Sequence, residues 1–191
     1  MDRATLKENA KSQIKGNIGT LFLVSLLVSL VTYAAQLVPV VGSVASLIVG
    51  PVLAVATIVI YLNMADGIQP DIKELFNHFD KLLIAFKVNI LTAVFTFLWS
   101  LLLFIPGIIK RYAYSQAMYI IAENPNLGGR EALKLSEEMM KGHKMELFVL
   151  ELSFLGWHLL GAMTFFIGYI WIAPYINATM ANYYNYVKTT V

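Results

Sequence analysis

Residues 145–166 read MELFVLELSFLGWHLLGAMTFF. A helix of that length rises about 33 Å, enough to cover the roughly 30 Å hydrocarbon core of a bilayer. Glu151 and His158 lie inside it. The run therefore names lipid as the solvent and places polar groups where they are expensive. A carboxylate in such a place requires a partner or a wet cavity.

The rest of the chain agrees. Of its 191 residues, 58% are hydrophobic and 14% charged, against about 45–50% and about 25% in soluble domains. The spacing of apolar runs predicts an all-α membrane protein, a six-helix transmembrane bundle forming a single domain over 1–191. The spans fall at about 18–38, 41–62, 82–105, 108–122, 145–166 and 169–186. The run at 18–38 follows a basic start but exceeds a signal-peptide h-region, so it is read as an uncleaved first span. The segment 108–122 rises only about 22 Å, so it is short, tilted or shielded by neighbouring helices. Short amphipathic helices join the spans on the polar side. Residues 2–15 carry Leu6, Ala10 and Ile14 at fourfold spacing among Arg3, Lys7, Lys11 and Lys15. This is either an interfacial helix on an anionic membrane face or a solvated basic tail that sets topology. A second helix from about Arg130 shows Ala132, Leu135 and Met139 on one face. Tyr183, Tyr184 and Tyr186 look like an aromatic belt.

With six spans, both termini share a side. Every basic residue except Lys87, Lys110 and Arg111 then falls in the ends and loops of that side, which makes the termini cytoplasmic in a multi-pass protein of the cell membrane. Lys110 and Arg111 sit at the opposite end, where they either snorkel to the outer surface or form a site for an anion or a lipid headgroup.

Depth suggests partners. Lys87 lies about 9 Å beyond Lys81, and Glu151 about 10 Å beyond Lys144, so Lys87 and Glu151 are expected to pair, as an internal clamp or as part of a proton relay. His158 and Asn177 lie about 12 and 13 Å from the 166–168 turn, which makes Asn177, or else Tyr175, the expected partner of His158. Ser25, Ser29, Thr32 and Gln36 form a polar stripe expected to bond across helices. Gly42, Ser46, Gly50 and Ala54 form a small-residue stripe that allows close helix packing, within the chain, in a homo-oligomer or against another membrane protein.

Pro106-Gly107-Ile108-Ile109-Lys110, Glu123-Asn124-Pro125, Gly142-His143-Lys144, Phe154-Leu155-Gly156-Trp157 and Pro174-Tyr175, with the opening RATLKENAKSQIKGN, resemble the bacterial integral-membrane family catalogued as domain of unknown function 975. A fainter similarity runs to the membrane domain attached to some glycerophosphodiester phosphodiesterases, whose hydrolase part is absent here. The resemblance implies a multi-pass protein, typical of Gram-positive bacteria, with no established activity.

Catalytic signatures are missing from the sequence: it shows no nucleophile–base set, metal-ligand cluster or phosphate loop. The absence of cysteine excludes disulfides, thiol catalysis and thiolate metal sites. A net charge of +2 is too small to argue for nucleic acid. No enzyme and no cofactor are expected. The residues point to a membrane protein that binds partners or lipids, anionic headgroups included. The alternative is a small transporter or channel using its intramembrane charges.

Overall fold

The computed structural model describes residues 2–37, 41–102 and 104–190, leaving aside the side chains of 41–46, 102 and 104. Among the described residues the regular structure is helical. Four stretches are long and apolar enough to cross a membrane: Ile18–Gln36, Leu47–Ala65, Ile72–Leu101 and Lys144–Met163. The segments 108–122 and 169–186 are not among them.

Helix α1 (Arg3–Ile14) starts where Asp2 accepts from the Ala4 amide at 2.9 Å and from the Thr5 hydroxyl, the usual way to satisfy a first-turn amide. Its stripe of Leu6, Ala10 and Ile14 is buried against α10 (Tyr169–Thr190). The apolar face is thus spent on protein, not on the membrane surface. Gln13 and Asn182 exchange amide hydrogen bonds across this contact at 3.1 and 2.7 Å. Lys7 stands 4.4 Å over the Phe154 ring and Lys11 5.6 Å over that of Tyr175. Burial pushes the Lys7 ammonium below its usual range, and the like charges of Arg3 and Lys11 add to the effect.

Helix α2 (Ile18–Gln36) carries the polar stripe, but its hydroxyls turn inward. Ser25 donates to Leu21 O, Ser29 to Ser25 O and Thr32 to Val28 O, at 3.0, 2.8 and 2.8 Å. They satisfy themselves on their own helix and bond to no other among the described residues, the local alternative open to any helical hydroxyl. Helix α3 (Val41–Ala65) is central and packs against α2, α4 (Leu82–Leu102), α6 (Ala117–Glu123) and α10. Val52, Val55, Ala56, Ile60 and Met64 are buried along it.

Helix α5 (Phe104–Ala113) folds back along α4. A Cβ on Gly107 would lie 2.0 Å from Ser100 Oγ, so only glycine permits this approach. The chain then breaks at 114–116 before α6, and the expected continuous span over 108–122 does not form. The seal comes from α7 (Gly129–Met139). Fully buried Ser136 donates to Ala113 O at 2.8 Å and accepts from the Gln116 amide at 3.1 Å. One hydroxyl thereby serves both helix ends that the break exposes. The buried face of α7 is Ala132, Leu133 and Ser136, whereas Leu135 is 39% exposed, a rotation from the face expected.

The run over 145–166 also breaks, into α8 (Lys144–Leu152) and α9 (Leu155–Met163) with a turn at 153–154. Phe154 is buried there, edge-on to Tyr175 at 5.5 Å. The turn at 164–168 leads into α10. Thr164 Oγ1 donates to Gly161 O and accepts from the Gly168 amide, both at 3.0 Å, and this holds Phe165 and Phe166 at φ +50° and +67°, a region that bulky side chains avoid. Phe166 and Tyr169 share a groove with Phe22, Ser25, Leu26 and Ser29. From Ser29 to Leu37 the helix rises about 12 Å further, so the turn meets α2 near its middle.

The molecule is polarised end to end. Large exposed apolar side chains gather on α2 (Leu23, Leu30, Leu37), on α4 and α5 (Phe97, Leu101, Ile105) and at the α9–α10 turn (Met163, Phe165). The buried core lies in the second half of α3, in α6, in α1 and in the second half of α10. Tyr183 and Tyr184 belong to that core, not to an interfacial belt. They donate to His143 O at 2.9 Å and to Glu123 Oε2 at 2.8 Å, and Lys188 reaches the same carboxylate at 2.7 Å.

Ser136→Ala strands a buried carbonyl and a buried amide together. It should lower stability in detergent by about 1–3 kcal/mol, read from thermal unfolding, while Ser12→Ala on the exposed side of α1 leaves the midpoint unchanged.

Candidate functional site

Beside the central helix is a cavity of about 480 Å³ that draws residues from five helices. Helix α3 supplies Gly50 and Ala54 of the small-residue stripe. Helix α4 supplies Asn89 and Thr92, three apart and so on one face. Arg111 comes from α5, Ser115 from the 114–116 break and Glu151 from α8. Three of the four membrane-length stretches contribute to its wall. Leu47 of its wall is an exposed apolar residue, as are Phe148 and Leu152 on α8, the helix that carries Glu151.

A Cβ placed on Gly50 meets nothing within 4 Å, and Ala54 is exposed. The stripe therefore leaves space open instead of admitting a neighbouring helix. The side chains of Gly42 and Ser46, which complete it in sequence, lie outside the described residues. Close helix approach occurs instead at Gly107 and at Gly161, where a Cβ would stand 2.4 Å from the Tyr169 ring.

The two adjacent cations separate. Lys110 turns to the protein: it bonds Glu137 of α7 at 2.5 Å and lies over the rings of Trp99 and Tyr114 at 5.1 and 5.6 Å. It is thus held against the charged helix α7, on the face where the chain has already folded back. Arg111, about 100° further round the helix, turns to the cavity. It is exposed and has no hydrogen-bond or ion-pair partner among the described residues.

Glu151 Oε2 accepts from the Tyr112 hydroxyl at 2.7 Å, and the Tyr112 ring meets Phe148 edge-on at 6.1 Å. Lys87 is not its partner. Lys87 is exposed and its Cβ lies beside Gly129 at the start of α7. Lys87 and Asn89 are about 200° apart around α4, and Asn89 is the one that faces the cavity. Equal depth placed Lys87 and Glu151 at one level without placing them on facing sides.

His158 does not meet Asn177 or Tyr175. Its Nδ1 lies 2.9 Å from the Tyr169 hydroxyl, with the rings 5.9 Å apart. Gly161, three residues on, leaves room for that ring. Asn177 faces the buried Tyr61 hydroxyl, which makes no hydrogen bond of ordinary length. The structure thus joins Arg111 and Glu151 with the stripe residues Gly50 and Ala54, and keeps Lys87, His158, Asn177 and Lys110 apart from them. Tyr112, Thr92 and Ser115 complete the site. In sequence they are ordinary polar residues in apolar surroundings, with no spacing that marks them out.

The two couplings are separable by experiment. Tyr112→Phe and Glu151→Gln should be non-additive by about 1–2 kcal/mol in a thermal-unfolding cycle, since a charged hydrogen bond joins them. Lys87→Met and Glu151→Gln should add to within about 0.5 kcal/mol.

Neither the curated proteins nor the solved structures give a match to this chain. A family model does match, over residues 101–190. That segment holds α5 to α10, with the Pro106-Gly107 hairpin, Arg111 and Glu151, and the opening RATLKENAKSQIKGN lies outside it. Residues 101–190 are similar to the family described as Protein of unknown function (DUF975).

Proposed function

We propose that this is a non-enzymatic multi-pass protein of the bacterial cell membrane that binds lipid through the cavity at Arg111. The observation that carries this reading is a guanidinium with no partner among the described residues, in a cavity lined by three of the membrane-length stretches. An unpaired cation at that level is costly unless an anion is near, and lipid phosphate is the anion a bilayer supplies. In this reading six segments enter the membrane, α5 as the short member and α10 as one of full length but lower hydropathy. Both termini face the cytoplasm with the lysine-rich elements.

The transporter reading has less support. The cavity that contains Glu151 is not lined by His158, which is bound to Tyr169. An oligomer through α3 draws support from the open space over Gly50, and a partner helix there would compete with lipid for the same place.

The natural chain has no cysteine, so single cysteines report cleanly on sidedness. Cysteines introduced at Asn9, Lys134 and Thr189 should all be labelled by an impermeant maleimide only after the cytoplasmic face is opened. Labelling of any of them from outside intact cells would overturn the orientation. Phospholipid co-purified in mild detergent should fall several-fold in Arg111→Gln and stay unchanged in Lys110→Gln.

A further inference from the structure

The cavity carries both signs of charge, and the two do not neutralise each other. Arg111 lines it without a partner, and no ion pair links it to Glu151 among the described residues. Glu151 uses Oε2 for the Tyr112 hydroxyl, which holds the carboxylate in place, and Oε1 has no donor among the described residues. Tyr112 follows Arg111 directly, so the cation and the carboxylate are tied to one turn of α5.

A ligand of single charge would satisfy one group and oppose the other. An anionic headgroup meets Arg111 and is repelled by Glu151. A simple amine does the reverse. A zwitterion satisfies both, and the order of charges along a phospholipid headgroup, phosphate first and amine last, provides one. We propose that the cavity seats the headgroup of a phospholipid ending in a primary amine, with its phosphate at Arg111 and its ammonium at Glu151. This deepens the lipid-binding reading above and rests on it.

The remaining lining agrees with that chemistry. Asn89 and Thr92 offer donors to the phosphate and ester oxygens, whereas the Ser115 hydroxyl already donates to Tyr112 O. Guanidinium pairs with phosphate in a two-bond fork, and an ammonium donates short charge-assisted bonds to a carboxylate oxygen. A quaternary ammonium has no N–H to donate, so Glu151 discriminates the primary amine from its fully methylated analogue. The vacant space over Gly50 and Ala54 leaves room for the headgroup, and Leu47, Phe148 and Leu152 offer apolar surface to its acyl chains. The volume, about 480 Å³, is in the range of small-molecule sites.

The full chain, purified in mild detergent, is titrated with phosphatidylethanolamine, its N-trimethylated counterpart phosphatidylcholine, and phosphatidylglycerol, with bound lipid counted by native mass spectrometry. The ethanolamine lipid should bind about tenfold more tightly than either of the others, the worth of one charge-assisted hydrogen bond. Glu151→Gln should erase that preference while keeping binding, and Arg111→Gln should weaken all three lipids. Equal binding of the ethanolamine and choline lipids, with both still dependent on Arg111, would overturn the amine assignment and leave the lipid-binding reading intact. Binding of all three that is indifferent to Arg111→Gln would overturn both. Soluble phosphoethanolamine that displaces the lipid at micromolar concentration would reassign the cavity to a water-soluble phosphate. The lipid ranking on the unaltered chain decides the amine assignment even where a variant fails to fold.

Discussion

A chain dissolved in lipid cannot leave a backbone amide or carbonyl without a partner, because hydrocarbon offers none. This protein interrupts its helices all the same, at 114–116 and at 153–154, and the rest of the architecture depends on how the first break is sealed. Ser136 is buried between the end of α5 and the start of α6 and serves a carbonyl of one and an amide of the other. The polar helix α7 is therefore a structural plug as well as a surface element. Because the break is sealed from one side, its other side can turn Ser115 toward a cavity. The cavity opens where the helix is interrupted at 114–116.

The charges obey a related rule. Each cation beside the spans has been given a specific neighbour or an opening. Lys110 has Glu137 and two aromatic rings, Lys7 has the Phe154 ring, and Lys81 donates to Ala122 O at 2.8 Å. Arg111 has no hydrogen-bond or ion-pair partner among the described residues, and it lines the cavity. In a medium that penalises isolated charge, its place beside Asn89, Thr92 and Glu151 is what the proposed headgroup site rests on.

The polarised distribution of burial explains why α1 matters. The well-packed core belongs to the polar end, where α1 lies against α10 and its Lys7 and Lys11 stand over the buried rings of Phe154 and Tyr175. The opposite end keeps its large side chains outward, for lipid to cover. A helix that looked like a membrane-surface paddle is instead a strap over the bundle. The amphipathic pattern was the same in either case, since a stripe of Leu6, Ala10 and Ile14 records that something apolar covers it but not what does.

Composition and periodicity by themselves determined the helical class, the apolar stretches, the amphipathic helices at 3–14 and 129–139, and the presence of costly polar groups at Arg111 and Glu151. Those are one-dimensional properties: hydropathy and helical spacing depend only on residue order. Partner identities were decided in three dimensions. Depth along a helix follows from rise per residue, whereas facing depends on the rotation of each helix and on where it breaks, which is why Lys87 turned away from Glu151 and His158 found Tyr169. The small-residue stripe of α3 likewise could not announce whether Gly50 and Ala54 would admit a helix or leave a space. That was settled by the return of α5 along α4 and by the break after it, because close packing at Gly107 drew the chain to one side and left the cavity open at the other.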